Sequence, residues 1–144
     1  MKNFINEDNI ILNLDIEDKN EVINKMVDTV CKEELIDREK FISDILKRES
    51  LENTVVGFKV AIPHGKSKYI KFPKIVFAKL KKEVFWGDPD EMVKYIFLLG
   101  IPEGSANEHI KILMKLSKKI LDEEFRKKLE DIEDKKEILE IILE

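Results

Sequence analysis

Two histidines are the entire imidazole complement of this 144-residue chain, and each stands where a reactive or recognising ring would be useful. His64 lies in Pro63-His64-Gly65-Lys66, directly after the apolar run Val60-Ala61-Ile62. Proline fixes its own φ and biases Ile62 toward an extended backbone, while glycine carries no Cβ to obstruct a partner approaching the ring. An imidazole displayed this way is a nucleophile that also changes protonation near neutral pH. His109 falls four residues before Leu113 and seven before Leu116, on the buried stripe of a helical pattern. Close to a helix N-terminus the macrodipole favours the neutral ring, which can still donate one hydrogen bond to an anion. Lys66 and Lys68 could be surface charge but are placed to neutralise a phosphoryl group, whereas Arg48 at a helix C-terminus needs no explanation beyond the dipole. Thr54 could cap a turn or donate its hydroxyl to the same anion. From these residues alone, a phosphoryl-accepting histidine and a pH-sensitive binding surface compete closely.

Other chemistries lack their signatures. Two histidines without a third nitrogen, sulfur or patterned carboxylate ligand make a weak case for a metal. No Walker loop, dinucleotide fingerprint or nucleophile elbow is present.

The elements that must hold these groups follow from periodicity. Ile10, Ile11, Leu12 and Leu14 read as a first strand. Val22, Ile23, Met26, Val27, Val30, Cys31 and Leu35 recur at helical spacing, with Cys31 as a buried core thiol. Asp37 is an N-cap for a second helix built on Phe41, Ile42, Ile45 and Leu46, ending near Glu49-Ser50. Thr54 to Gly57 reads as a turn-like connection, Val60 to Ile62 as a short strand, and Lys66 to Pro73 as an exposed basic loop. Ile75 to Leu80 predicts a strand continuing toward Val84-Phe85-Trp86, and Gly87-Asp88-Pro89-Asp90 is turn chemistry. The nearly unbroken apolar run from Val93 to Ile101 is that of a central strand buried on both faces. Ser105-Ala106-Asn107-Glu108 has capping-box spacing, with Glu108 as the box carboxylate. The helix it opens carries Ile110, Leu113, Leu116, Ile120 and Leu121, and two shorter helices close the chain around Phe125, Leu129, Ile132 and around Ile138 to Leu143. This order predicts a single α/β layered domain over residues 1–144: a mixed, mostly parallel sheet of about five strands with helices on both faces.

Hydrophobic residues make up 43% and charged residues 39% of the chain, and the net charge is −4, which gives no footprint for nucleic acid. No run approaches the roughly 20 apolar residues that cross a bilayer, and the amino terminus has no signal-peptide core, so a cytoplasmic location is expected. One cysteine excludes an internal disulfide.

Taken together, Arg48-Glu49-Ser50, Thr54 and the run from Gly57 through Pro63-His64-Gly65-Lys66 resemble the active-site signature of type 2 phosphotransferase-system enzyme IIA domains, the fructose, mannitol and nitrogen-regulatory family. Tyr95 to Pro102 and Asn107-Glu108-His109 are similar to that family's central strand and second-histidine helix, and the likeness runs from about residue 7 to the end. The resemblance implies that His64 accepts a phosphoryl group from phospho-HPr and passes it to a IIB-domain cysteine, for uptake of fructose or a related sugar or polyol. By the same resemblance Arg48 pairs with the phosphoryl oxygens, His109 stabilises the phosphorylated ring, and Thr54, Gly65, Lys66 and Glu108 support them. It implies no cofactor and no metal, and membrane contact only through docking to a IIC complex. A nitrogen-type regulatory protein, whose phosphorylation state controls partner binding, is the other reading. Two places depart from the family: Phe58-Lys59, where small residues are common, and the Ser105-Ala106 spacer.

Overall fold

The computed structural model describes residues 1–33, 37–87, 91–105 and 107–144, so Leu35 and the Asp88-Pro89-Asp90 turn lie outside the described residues. After a short 3-10 turn at Glu7–Asn9 come β1 (Ile10–Leu14), α1 (Lys19–Glu33), α2 (Arg38–Leu51), β2 (Val55–Gly57), β3 (Val60–Ala61) and β4 (His64–Ser67). The chain then runs through β5 (Lys74–Phe85), β6 (Met92–Pro102), α3 (Glu108–Leu121), α4 (Glu123–Asp131) and α5 (Lys135–Leu143). The strands form a six-stranded sheet in the order β1-β5-β6-β3-β2, with β4 also pairing β6. Pairs β1/β5, β3/β6 and β4/β6 are parallel, whereas β2/β3 and β5/β6 are antiparallel. The mixed, mostly parallel α/β architecture therefore holds, with six strands where about five are expected.

Alternation along β5 and β6 explains why the run from Val93 to Ile101 carries no polar face. Phe77, Tyr95, Phe97 and Leu99 pack toward α3, α4 and α5 with Ile112, Leu116, Leu129 and Ile138. Val76, Ala78, Ile96 and Leu98 turn the other way, onto Val22, Ile23, Met26 and Ile45 of α1 and α2. Each face of the sheet is thus an apolar interface, which forces both sides of these strands to be hydrophobic. Aspartates start the helices: Asp37, Asp122 and Asp134 accept main-chain N–H groups of Lys40, Glu124 and Glu137.

Several expectations need correction. Thr54 to Gly57 is no loose turn. Val55–Gly57 pairs with β3 in a tight hairpin whose tip holds Gly57, Phe58 and Lys59 at φ of 102°, 54° and 65°. Non-glycine residues rarely adopt that left-handed backbone. Here the Lys59 carbonyl accepts N–H groups from both Lys94 and Tyr95, at 2.9 and 3.0 Å, which docks the tip onto β6. The stretch from Lys66 to Pro73 is not uniformly an exposed loop: β4 continues to Ser67, and Ile70 and Pro73 are buried. Cys31 is half-buried rather than a core thiol, packed at the edge of the α1/α2 cluster, and burial pushes its pKa up. Ile110 and Leu121 of α3 are exposed, because the buried stripe runs through Ile112, Leu116 and Ile120.

Lys79 is the least expected feature of the core. It is 4% exposed in the middle of β5, and its ammonium donates to the Glu130 and Ile132 carbonyls and to the Glu133 carboxylate at 2.7, 3.1 and 2.7 Å. A buried cation is tolerated because carbonyls at the end of α4, lacking helical partners, receive its protons.

Candidate active site

His64 opens β4, and the sheet rather than a loop positions it. It pairs with Leu99 of β6 in parallel register, and the Leu99 N–H donates to the Pro63 carbonyl at 2.9 Å. Its Nδ1 lies 3.0 Å from the Ile62 carbonyl oxygen. A carbonyl can only accept, so Nδ1 carries the proton and the neutral ring keeps its lone pair on Nε2. Burial on one side and a bonded Nδ1 fix the ring and leave one nitrogen for chemistry.

Gly65 matters for a different reason than access to the ring. A Cβ built there would stand 2.7 Å from Ile45 Cγ1 and 3.2 Å from Phe41 Cε1. Gly65 pairs with Gly100, where an added Cβ would meet Ile70 Cδ1 at 2.9 Å and Phe41 Cζ at 3.4 Å. Two glycines side by side on neighbouring strands open a seam that the Phe41 ring and Ile45 fill, so α2 settles directly on β4. That contact brings Asp44, Lys47, Arg48 and Leu51 to the edge of His64. They line a cleft of about 410 Å³ together with Gly65, Lys66 and His109.

His109 reaches the cleft from the first turn of α3, its ring centroid 6.2 Å from that of His64 and inclined by 29°. Burial lowers its pKa, with the positive charge of Lys66 and the nearby His64 ring acting in the same direction and a Ser105 backbone contact opposing them. The ring is therefore neutral at physiological pH. Its Nδ1 is buried. Arg48 is half-buried, and its Nη1 donates to the Glu52 carbonyl at 2.6 Å, closing the end of α2 while other N–H groups of the guanidinium remain for an anion. Lys66 is exposed at the rim and its main-chain N–H donates to Asp44 Oδ2 at 2.7 Å. Leu51, 84% exposed, gives the cleft an apolar lip. Lys68 lies outside this cleft, its ammonium 5.2 Å from the Tyr69 ring centre.

Two expected site residues do not join it. Thr54 is 7% exposed, and its hydroxyl and N–H both donate to the Glu49 carboxylate at 2.8 Å, so it has no hydroxyl to offer an anion. Glu108 is exposed and accepts from the Ser105 hydroxyl at 3.2 Å, which replaces the reciprocal side-chain-to-backbone bonds of a capping box. The N-cap of α3 is Asn107, and it makes no side-chain cap bond. Conversely, the sequence gives no sign of Glu49's part. At 6% exposure it gathers the Trp86 indole N–H at 2.9 Å as well as both Thr54 donors, with Lys19 at 3.7 Å. This network ties the last turn of α2, which carries Arg48, to β2 and the end of β5.

The profile of the family described as "Phosphoenolpyruvate-dependent sugar phosphotransferase system, EIIA 2" matches residues 3–144. The chain belongs to that family. As an EIIA protein it is a phosphotransferase component. It is 35% identical over 135 residues to the fructose-specific EIIABC component of Bacillus subtilis, covering 92% of this chain and 21% of that protein, so it spans about a fifth of that relative's length. It is 30% identical over 109 residues to the fructose-specific EIIA component of Haloferax volcanii, covering 75% of this chain and 71% of that one. The nitrogen regulatory protein IIA-Ntr of Neisseria meningitidis superposes with a TM-score of 0.90 at 26% identity over 97% of both chains. The mannitol IIA of Escherichia coli shares the fold, with a TM-score of 0.82 at 24% identity over 96% of this EIIA chain and 98% of that one. Among the described residues no helix is long and apolar enough to cross a membrane.

Proposed function

We propose that this chain is a phosphohistidine relay in which Nε2 of His64 accepts a phosphoryl group from phospho-HPr and gives it to a cysteine of a IIB domain. The observation that carries this reading is the Nδ1 bond to the Ile62 carbonyl, because it leaves the Nε2 lone pair as the ring's nucleophile. In the first step that pair attacks phosphorus in line as the donor's N–P bond breaks and its electrons return to the donor ring. In the second, a IIB thiolate attacks phosphorus and the Nε2–P bond breaks. Neither step needs a strong acid or base, only access and charge neutralisation. Arg48 pairs with phosphoryl oxygens through its unused N–H groups, Lys66 adds positive charge at the rim, and neutral His109 donates one hydrogen bond. Thr54 and Glu108 act only through the fold. The relay occupies the single domain 1–144 and works in the cytoplasm.

The fructose-specific names of two relatives, at 35% and 30% identity, favour uptake of fructose or a related sugar or polyol. The likeness to a nitrogen regulatory IIA at a TM-score of 0.90 favours the second reading, in which the phosphorylation state controls partner binding. Incubation with phosphoenolpyruvate, enzyme I and HPr should place an acid-labile, base-stable phosphoryl group on the wild-type chain and none on His64→Ala. Label that survives the substitution sinks the assignment. Transfer from the labelled chain to a fructose-type IIB separates uptake from regulation.

A further inference from the structure

The cleft around His64 holds a carboxylate among its cations. Lys47, Arg48 and Lys66 line it with the two histidines, and Asp44 is the only acid among the described lining residues. Asp44 is also bound to the backbone that carries the acceptor. Its Oδ2 takes the Lys66 N–H at 2.7 Å and lies 3.3 Å from where a Cβ on Gly65 would stand. Among the described strands β4 pairs only with β6, so alternate N–H groups on its other side have no sheet partner. Asp44 occupies one of them, reaching across from α2.

We infer that Asp44 is a positioning residue that also sets how readily His64 gives up a phosphoryl group. The inference rests on the relay reading above. Through the Lys66 N–H it holds the free edge of β4 against α2 and so holds His64 in place. Its charge acts on the phosphorylated form. A phosphoryl group adds about −1.5 to −2 charges at neutral pH. Arg48 and Lys66 stabilise that charge, and Asp44 opposes them. A relay must release what it accepts, and a cleft of cations alone would hold the phosphoryl group too firmly. Asp44 forms no bond to phosphorus in either step; it shifts the balance between the Nε2–P bond and the next acceptor. For charges on the order of 7 Å apart in a water-like, salt-screened medium the effect is roughly two- to fourfold.

The test uses phosphoramidate, a small chemical phosphoryl donor, on the whole wild-type chain and on Asp44→Asn and Asp44→Ala. Phosphohistidine formation, and its decay after the donor is removed, are followed by phosphorus NMR at about 0.05 M and about 1 M KCl. Asp44→Asn keeps an oxygen for the Lys66 N–H and loses only the charge. Its phosphohistidine should decay roughly two- to fourfold more slowly than wild type at low salt, and the gap should close at high salt. Asp44→Ala should show the same slow decay and, with the tether gone, slower acceptance than Asp44→Asn. Equal decay of Asp44→Asn and wild type, or a difference that high salt leaves unchanged, overturns the charge role. Acceptance by Asp44→Ala at the wild-type rate overturns the positioning role. Failure of the wild-type chain to form phosphohistidine instead brings down the relay reading itself.

Discussion

Replacing Gly65 by alanine places a methyl carbon 2.7 Å from Ile45 Cγ1, about 1 Å inside normal carbon contact. Neither neighbour can yield easily, because Ile45 and Phe41 are at most 1% exposed and β4 is held in register with β6. Overpacking of this kind costs about 2–3 kcal/mol. For a chain of this length that lowers Tm by about 6–10 °C. The displacement also falls on the strand that carries His64, so phosphoryl acceptance should drop on the order of tenfold or more. Urea and thermal unfolding of Gly65→Ala, Ile45→Ala and the double variant test the cause. Ile45→Ala alone empties a fully buried site and costs about 3 kcal/mol. In the double variant the new methyl enters the space Ile45 vacated, so the losses should fall short of additive by about 1–2 kcal/mol. A Gly65→Ala protein that unfolds at the wild-type midpoint, or strictly additive losses, would refute the close-packed seam.

Glu49→Gln turns an amide N–H toward one of the three donors Glu49 gathers, leaving it unsatisfied at a cost of about 1–3 kcal/mol. Because Trp86 is the only tryptophan, its fluorescence should report the lower urea midpoint directly. Lys79→Met fills the same space but leaves the Glu130 and Ile132 carbonyls without their donor. Stability should fall by about 2 kcal/mol, and hydrogen exchange should quicken first in α4 and α5. His109 has a folded pKa below its usual value, so the unfolded chain binds its proton first. Its contribution to stability is complete above the unfolded value of about 6.5 and is lost as pH falls through the lower folded value. His109→Gln should flatten that acid-side slope in unfolding curves and weaken phosphoryl acceptance without abolishing it.

Apolar patterning was enough to place the long elements, periodic in the helices and nearly unbroken in β6. The short strands were harder to see. Val60 to Ile62 reads as a strand, but three residues of β2 and four of β4 are too few to show a period, and β4 reads as His-Gly-Lys-Ser, with no apolar side chain to mark it. Its strand character comes from Leu99 and Gly100 across the ladder, a tertiary effect. The fold does bring His64, His109, Arg48 and Lys66, the residues named from the sequence, to one cleft. Thr54 stays outside it. Its hydroxyl suits an anion, but burial against Glu49 decides its partner, and nothing local in Glu49-Ser50-Leu51 signals a carboxylate pointing inward. Gly65 reads as clearing the way for a partner, whereas the space its missing Cβ leaves is taken by Ile45 and Phe41 of α2.

His64 sits in a hydrogen-bonded ladder rather than on a loop, with its ring nitrogen tied to the carbonyl two residues before it. On the proposed relay reading, a phosphoryl group arriving there would meet a strand held in register by β6 rather than a hinge. On that reading, the charged and uncharged forms of the protein would share one backbone shape. Any partner that tells them apart must do so by electrostatic field at the cleft mouth, a message that added salt would mute.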